Sequence, residues 1–220
     1  VYSTCNLCSV GCGCEIAVKD EKIVGIRGNG KHSINRGRLG PKGENQWQAN
    51  SSPDRLLSPL IRNELGELVP ASWDEAMNLI VSKMKEAIAQ KGPNSIAIYS
   101  TGQAFLEDYY TIAKVGRAGI GTHLLDANTR LCTATTEFCL LQSFGADGAP
   151  ASYEDIDETE TLMLFGHNVA ETGTVLHERI MDRKARTGKP YIIAVDPRKT
   201  LTVRGADLHL QLTPGTNVPL

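Results

Sequence analysis

Four of the six cysteines, Cys5, Cys8, Cys12 and Cys14, fall within the first fourteen of 220 residues. A disulfide framework spreads its cysteines along a chain to tie distant segments together, so a group this tight points to metal binding instead. Cys5-x2-Cys8-x3-Cys12 places three thiols on one short loop. That suits an iron–sulfur cubane, whose irons offer several close, divergent positions to thiolate ligands. A zinc ribbon needs two Cys-x2-Cys pairs, or a Cys pair and a later His pair, and neither occurs at usable spacing. Structural zinc using Cys14 and buried free thiols are the remaining readings. The spacing does not name a fourth thiolate.

Composition narrows what surrounds this loop. Hydrophobic residues make up 41% of the chain, enough for one sizeable core or two small ones, which argues against disorder. Mean hydropathy is -0.21 and no apolar run approaches the length of a membrane span. With 23 basic and 25 acidic side chains interspersed, the footprint of a dedicated nucleic-acid binder is absent. The chain opens on Val1 and closes with 206–220 reading as a strand that runs into a Pro-Gly turn, so a portion of a longer protein is expected.

Residues 14–27 carry two β-branched runs around Lys19–Lys22, a hairpin signal. From Gly28 to Asn50 glycine and polar residues predominate without apolar periodicity, which predicts irregular structure. Ser72-Trp73-Asp74-Glu75 matches a capping box, and Ala76, Met77, Ile80, Met84, Ala87 and Ile88 follow at helical spacing until Gly92-Pro93. Thereafter strands and helices alternate. A buried strand is predicted over 95–100, a helix over 106–118, an extended piece over 123–126 and a helix over 133–143. A buried strand over 161–166, a helix over 174–187 and a strand over 189–195 follow. Such alternation implies βαβ crossovers and a parallel sheet, with ligands at the carboxyl ends of the strands. The predicted class is therefore α/β: a small, irregular, β-rich iron–sulfur domain over 1–62, then part of a Rossmann-like parallel α/β domain over 63–220.

Cys-Asn-Leu-Cys-Ser-Val-Gly-Cys-Gly at 5–13, Asn35-Arg36-Gly37-Arg38-Leu39-Gly40-Pro41-Lys42-Gly43, Arg55-Leu56-Leu57-Ser58-Pro59-Leu60 and Ser72-Trp73-Asp74-Glu75 occur in that order. The series resembles the opening of the catalytic subunits of bis-molybdopterin guanine dinucleotide oxidoreductases, the superfamily of nitrate reductases and formate dehydrogenases. The resemblance implies that Cys5, Cys8 and Cys12 bind a 4Fe-4S cluster. In the family a fourth Cys stands where this chain has Gly40, whose lack of a side chain leaves several outcomes: Cys14 as the fourth ligand, a 3Fe-4S cluster, a non-protein ligand, or no cluster. Lys42 matches the lysine between cluster and pterin on the electron path.

Asn128-Thr129-Arg130-Leu131-Cys132 follows an extended piece and precedes a helix. A helix N-terminus favours the thiolate that binds metal, and a soft thiolate suits molybdenum already held by dithiolene sulfurs. The segment is similar to the one that carries the molybdenum ligand in nitrate reductases, which implies that Cys132 is that ligand. Cys139 is predicted to lie in the core. Gly102-Gln103 resembles a pterin contact, and the resemblance extends cofactor binding to Arg130, to Gly166, Asn168, Glu171 and Thr172, to Asp196, Pro197, Arg198 and Thr200, and to Gly215 and Thr216. Glycine permits close approach, helix N-termini offer amides to a diphosphate, and Asp196 accepts from a ribose or guanine donor.

The implied activity is reduction of nitrate to nitrite with molybdenum bis(molybdopterin guanine dinucleotide), electrons arriving through the cluster from a ferredoxin or redox subunit. Family formate dehydrogenases place His after the ligand, where this chain has Thr133. Nitrate reductases often carry Met there, so formate and other oxyanions stay open as substrates. A second class of reading is a redox or cofactor-binding module, inactive until the remainder of the catalytic subunit completes the site; a third is a zinc-stabilised binding domain. No nucleic-acid partner and no membrane span are expected. The cytoplasm is the expected compartment, with the periplasm as the alternative.

Overall fold

A computed structural model of the chain describes residues 1–220. Strands β1 (Tyr2–Thr4), β2 (Gly13–Lys19) and β3 (Lys22–Gly28) come first, then a short helix α1 (Pro41–Asn45) and a 3-10 turn over Gln46–Ser51. Next are the hairpin β4 (Leu60–Arg62) and β5 (Leu68–Pro70), helix α2 (Trp73–Lys91) and strand β6 (Ile98–Ser100). Helix α3 (Leu106–Lys114), with a π-helical extension over Val115–Ile120, leads to β7 (Leu125–Ala127), α4 (Thr129–Cys132) and α5 (Ala134–Phe144). The chain continues through α6 (Tyr153–Glu158), β8 (Thr161–Phe165), α7 (Val169–Thr172), α8 (Thr174–Thr187), β9 (Tyr191–Val195), α9 (Leu201–Arg204) and β10 (Leu208–Leu210).

These elements form two compact units. One joins residues 1–55 to 151–220, and the other is the intervening segment 56–150. In the first, β2 pairs antiparallel with both β1 and β3, and Asp20 and Glu21, both at positive φ, make the turn of the predicted hairpin. A second sheet, in the order β10-β9-β8, is parallel throughout. Its middle strand buries Ile192, Ala194 and Val195, while Val175 and Ile180 of α8 are buried too. Burial of each of these larger aliphatic side chains is worth about 1.5–3 kcal/mol.

Strand β8 departs from the prediction of a fully buried strand. Met163 and Phe165 are exposed and Leu162 and Leu164 are half-buried, because β8 is an edge strand with β9 on one side only. The polar stretch 28–50 is also more regular than predicted at its end. Pro41 at the first helical position presets the backbone for α1, and the 3-10 turn extends it.

In the segment 56–150, β6 and β7 form a two-stranded parallel sheet with Ile98 opposite Leu125 and Ser100 opposite Ala127. Helix α2 begins as predicted: the Ser72 hydroxyl accepts from the Glu75 amide and the Glu75 carboxylate accepts from the Ser72 amide. Little is buried, however. Ala76, Gly116 and Thr122 are the fully buried residues of this unit, and Tyr99, on the strand predicted as buried, is exposed. Cys139, predicted to be core, is exposed as well.

Candidate cluster site and cofactor loops

The loop 5–12 folds back on itself through the Cys5 amide, which donates to the Cys12 carbonyl (2.9 Å), with Gly11 in the left-handed region at φ +79°. Cys5 and Cys12 are buried and Cys8 half-buried. All three line one small cavity, together with Gly40, Pro41, Lys42, Gly43, Glu171, Thr172, Thr174 and Val175. A Cβ on Gly43 would lie 3.1 Å from the Cys5 sulfur, so helix α1 closes on the thiols to a distance that glycine permits. Cys14 is buried but lines a different cavity, with Ser3, Thr4, Trp47 and Arg55 among others.

No three His, Cys, Asp or Glu side chains converge on a single ion position anywhere in the chain. A cubane asks for a different arrangement, since its irons sit apart and the ligands ring the cluster rather than meeting at a point. Cys5, Cys8 and Cys12, on one cavity wall, are the residues that could hold it. Burial first, then the neighbouring Cys5, Cys8 and Cys14, push the Cys12 thiol up to about 11. Burial and Cys5 push Cys14 up as well. An incoming metal must therefore displace protons from this loop.

Side chains that the sequence did not single out hold the loop in place. Asn35 is buried; its carbonyl oxygen accepts from the Gly13 amide (2.9 Å), and its amide donates to the carbonyls of Gly13 (2.9 Å) and Arg38 (2.6 Å). Tyr153 donates its hydroxyl to the Val10 carbonyl (2.6 Å), and the Arg179 guanidinium lies 5.3 Å from the centre of its ring. Arg179 is only 6% exposed; it forks onto Asp157 (2.8 and 2.5 Å) and donates to the carbonyls of Ser33 and Ile34 (3.2 Å each). Asp157 also accepts from Arg36 at 2.9 Å, and the Arg179 hydrogen bonds hold its carboxyl below the usual carboxylate range. Asn35 stands within a motif noted in the sequence. Arg179 and Asp157 carry no local pattern, because their partners are supplied by the tertiary fold.

The predicted dinucleotide loops lie at the carboxyl ends of β8 and β9. Gly166, at φ +59°, and Pro197 border a common cavity with Phe165, Val195, Leu212, Asn217 and Leu220. Asn168 is buried and its side chain accepts from the Thr202 hydroxyl (2.8 Å), which in turn accepts from the Ala170 amide (3.0 Å). The buried Asp196 carboxylate accepts from the Arg198 amide (2.8 Å), and the Thr200 hydroxyl caps α9. These groups thus fix the loops, while Arg198 is exposed. Glu171 and Thr172 are placed on the wall of the cysteine cavity, and Gly215 and Thr216 in an exposed turn closed on Thr213.

In the other unit, Gly102-Gln103 and 128–132 follow the paired strands β6 and β7, so both predicted segments emerge at the same end of a parallel pair. The Gly102 amide donates to the Asn128 side chain (2.6 Å), and a Cβ on Gly102 would meet the Thr129 methyl at 2.3 Å. A side chain at position 102 would require the exposed Thr129 side chain to move. Arg130 is tethered to Asp126 (3.2 Å) and Cys132 is exposed at the end of α4, two residues before α5 begins.

Mixed α/β topology, parallel sheets with loops gathered at strand ends, and a cysteine-lined cavity define a cofactor-binding redox class of protein. Residues 1–51 match the family described as "Molybdopterin oxidoreductase Fe4S4 domain" and residues 55–220 match "Molybdopterin oxidoreductase". The chain belongs to the molybdopterin oxidoreductase family, whose Fe4S4 cluster and molybdopterin are the groups these segments serve. It is 39% identical over 99% of its length to the periplasmic nitrate reductase of Desulfovibrio desulfuricans and 37% identical over 100% to a nitrate reductase of Symbiobacterium thermophilum, covering 29% of each. It is 35% identical over 100% to an F420-dependent formate dehydrogenase alpha subunit of Methanococcus maripaludis, covering 32% of it. The chain thus spans less than a third of these relatives. The acetylene hydratase of Pelobacter acetylenicus shares the fold, with a TM-score of 0.81 at 24% identity over 98% of this chain and 30% of that one. No helix is long and apolar enough to cross a membrane.

Proposed function

We propose that the protein is the catalytic subunit of a nitrate-reductase-type molybdenum enzyme, of which these residues are the N-terminal portion. Nitrate takes up two electrons and two protons and leaves as nitrite and water. The observation that carries this reading is that Gly102-Gln103 and the segment 128–132, which bears the exposed Cys132, follow two paired parallel strands at one end, where the Gly102 amide donates to the Asn128 side chain. Molybdenum bis(molybdopterin guanine dinucleotide), when bound, supplies the two-electron atom-transfer chemistry. Cys132 serves as its thiolate ligand, and Asn128 positions the backbone of Gly102 for pterin contact. Gln103, Arg130, the loops 166–172 and 196–200, and Gly215-Thr216 bind the remainder of the cofactor.

Cys5, Cys8 and Cys12 hold the iron–sulfur cluster, and Lys42, on the wall of the same cavity, lies on the electron path. In functional terms 1–62 is the cluster domain and 63–220 the first part of the dinucleotide-binding domain. A ferredoxin or redox subunit in the cytoplasm delivers electrons, and the 220 residues are inactive without the remainder of the subunit. The similarity to formate dehydrogenases supports a second reading, formate oxidation, which Thr133 in place of the family's His disfavours.

The test is an assay of the full-length enzyme with nitrate and a reduced viologen, and with formate and an oxidised one. Nitrate turnover lost in Cys132→Ser supports the proposal. Formate turnover alone would replace it with the second reading, and stoichiometric zinc without iron or molybdenum would eliminate both. Cell fractionation decides the compartment.

A further inference from the structure

The cavity that gathers Cys5, Cys8 and Cys12 has no fourth thiol in its wall. Cys14 lines another cavity, and Cys132 and Cys139 are exposed within the segment 56–150. A cubane is ordinarily held by four thiolates. Gly40 lines the same cavity, and nothing about that position demands glycine. Its backbone, at φ -74° and ψ 160°, is one that any residue adopts. A Cβ built there would meet only the Thr174 Cβ, at 4.0 Å, which is ordinary contact. The fold therefore leaves room for a ligand side chain at Gly40 and supplies none.

We infer that the cluster in this cavity is bound through three corners only, and that its fourth iron, on the Gly40 side, is an exchangeable ferrous site open to water, hydroxide or a small thiol. Iron leaves and returns as [4Fe-4S]2+ ⇌ [3Fe-4S]0 + Fe2+, with all four sulfides retained and no net electron transfer. Cys5, Cys8 and Cys12 stay bound throughout, and only the bonds of the fourth iron to three sulfides and its solvent ligand break. Three other groups are rivals for the open corner. Glu171 lines the cavity, Cys14 is close in sequence, and the His32 Nδ1 is buried without a hydrogen-bond partner, its ring lying where a Cβ on Gly13 would be. Neither Cys14 nor His32 borders the cavity.

The inference rests on the cluster occupying this cavity, and the experiment separates the two. The full-length protein is reconstituted anaerobically with ferrous iron and sulfide, and iron and acid-labile sulfide are counted before and after brief exposure to EDTA. The wild type is expected to lose one iron in four while keeping all its sulfide. Ferricyanide then yields the EPR signal of an oxidised three-iron cluster, and ferrous iron added with dithionite, which returns the one electron removed, restores the fourth. Gly40→Cys should retain all four irons through EDTA. Gly40→Ala, Cys14→Ser, Glu171→Gln and His32→Ala should behave as the wild type, the first of these controlling for simple filling of the space. A wild type that keeps four irons through EDTA, and loses one only in Cys14→Ser, Glu171→Gln or His32→Ala, would overturn the open corner. Cluster uptake that survives serine at Cys5, Cys8 and Cys12 together would instead remove the cluster from this cavity, and the proposed site with it.

Discussion

The two compact units of this chain use apolar residues very differently. The unit formed by 1–55 and 151–220 buries Val10, Val169, Val175, Ile180, Ile192 and Val195 and locks its cysteine loop with buried polar side chains. The segment 56–150 has several helices, α2 with a complete capping box, yet Leu106, Tyr110, Leu131, Phe138 and Phe144 remain exposed. Local helix signals and a shared core are thus separate achievements. The second unit has the former with little of the latter, whereas the first owes its order to contacts made far apart in sequence.

The largest effect should come from removing the link on which the first unit most depends. Arg179→Ala leaves Asp157 without its fork and the Ser33 and Ile34 carbonyls without a donor, a loss of about 3–5 kcal/mol as for one partner of a buried ion pair. Urea denaturation would register it, and a loss below 1 kcal/mol would contradict the picture of a polar lock. Asn35→Ala strands the Gly13 amide and should cost about 2–3 kcal/mol, because a buried donor left unpaired costs roughly 1–3 kcal/mol before lost packing is added. Its effect should fall on the first unit, seen as faster amide exchange in β2 and β3.

Acid should act on the same unit. The Asp157 pKa is lowered in the folded state by Arg179, so its contribution is fully present above the unfolded carboxylate pKa and is lost as pH falls through the lowered folded value. Stability measured from neutral into acid should decline with a slope that Asp157→Asn reduces. The smallest effect belongs to the second unit. Ser72→Ala removes one half of the α2 capping box at a cost of about 1 kcal/mol. Hydrogen exchange in α2 should accelerate while β9 is unchanged; a change in β9 would contradict a local effect of the cap.

The same contrast explains what could be read from residue order. Ser72-x2-Glu75, the charged turn of the 14–27 hairpin and the parallel alternation after residue 95 are local or periodic signals, and each reappears in the fold. Close spacing marks Cys5, Cys8 and Cys12, which line one cavity, and the family resemblance marks Gly102-Gln103 and 128–132, which follow the paired strands β6 and β7. What residue order concealed depended on neighbours. Whether β8 is central or at an edge is decided by pairing, and Cys14 shares a cavity with Ser3, the residue that pairs with it across β1 and β2. The Arg179–Asp157 fork and the Tyr153 bond to Val10 have no periodicity at all, since their partners lie 22 and 143 residues away.

That last separation bears on how the protein is made. A ribosome releases the cysteine loop well before the residues that fasten it, Tyr153 and Arg179, which follow only after the whole of 56–150 has emerged. Domains generally fold as units during synthesis, and contacts of long sequence separation close late. The thiols are thus born early and enclosed late, which opens an interval in which oxidation and closure of the loop compete for the same three sulfurs.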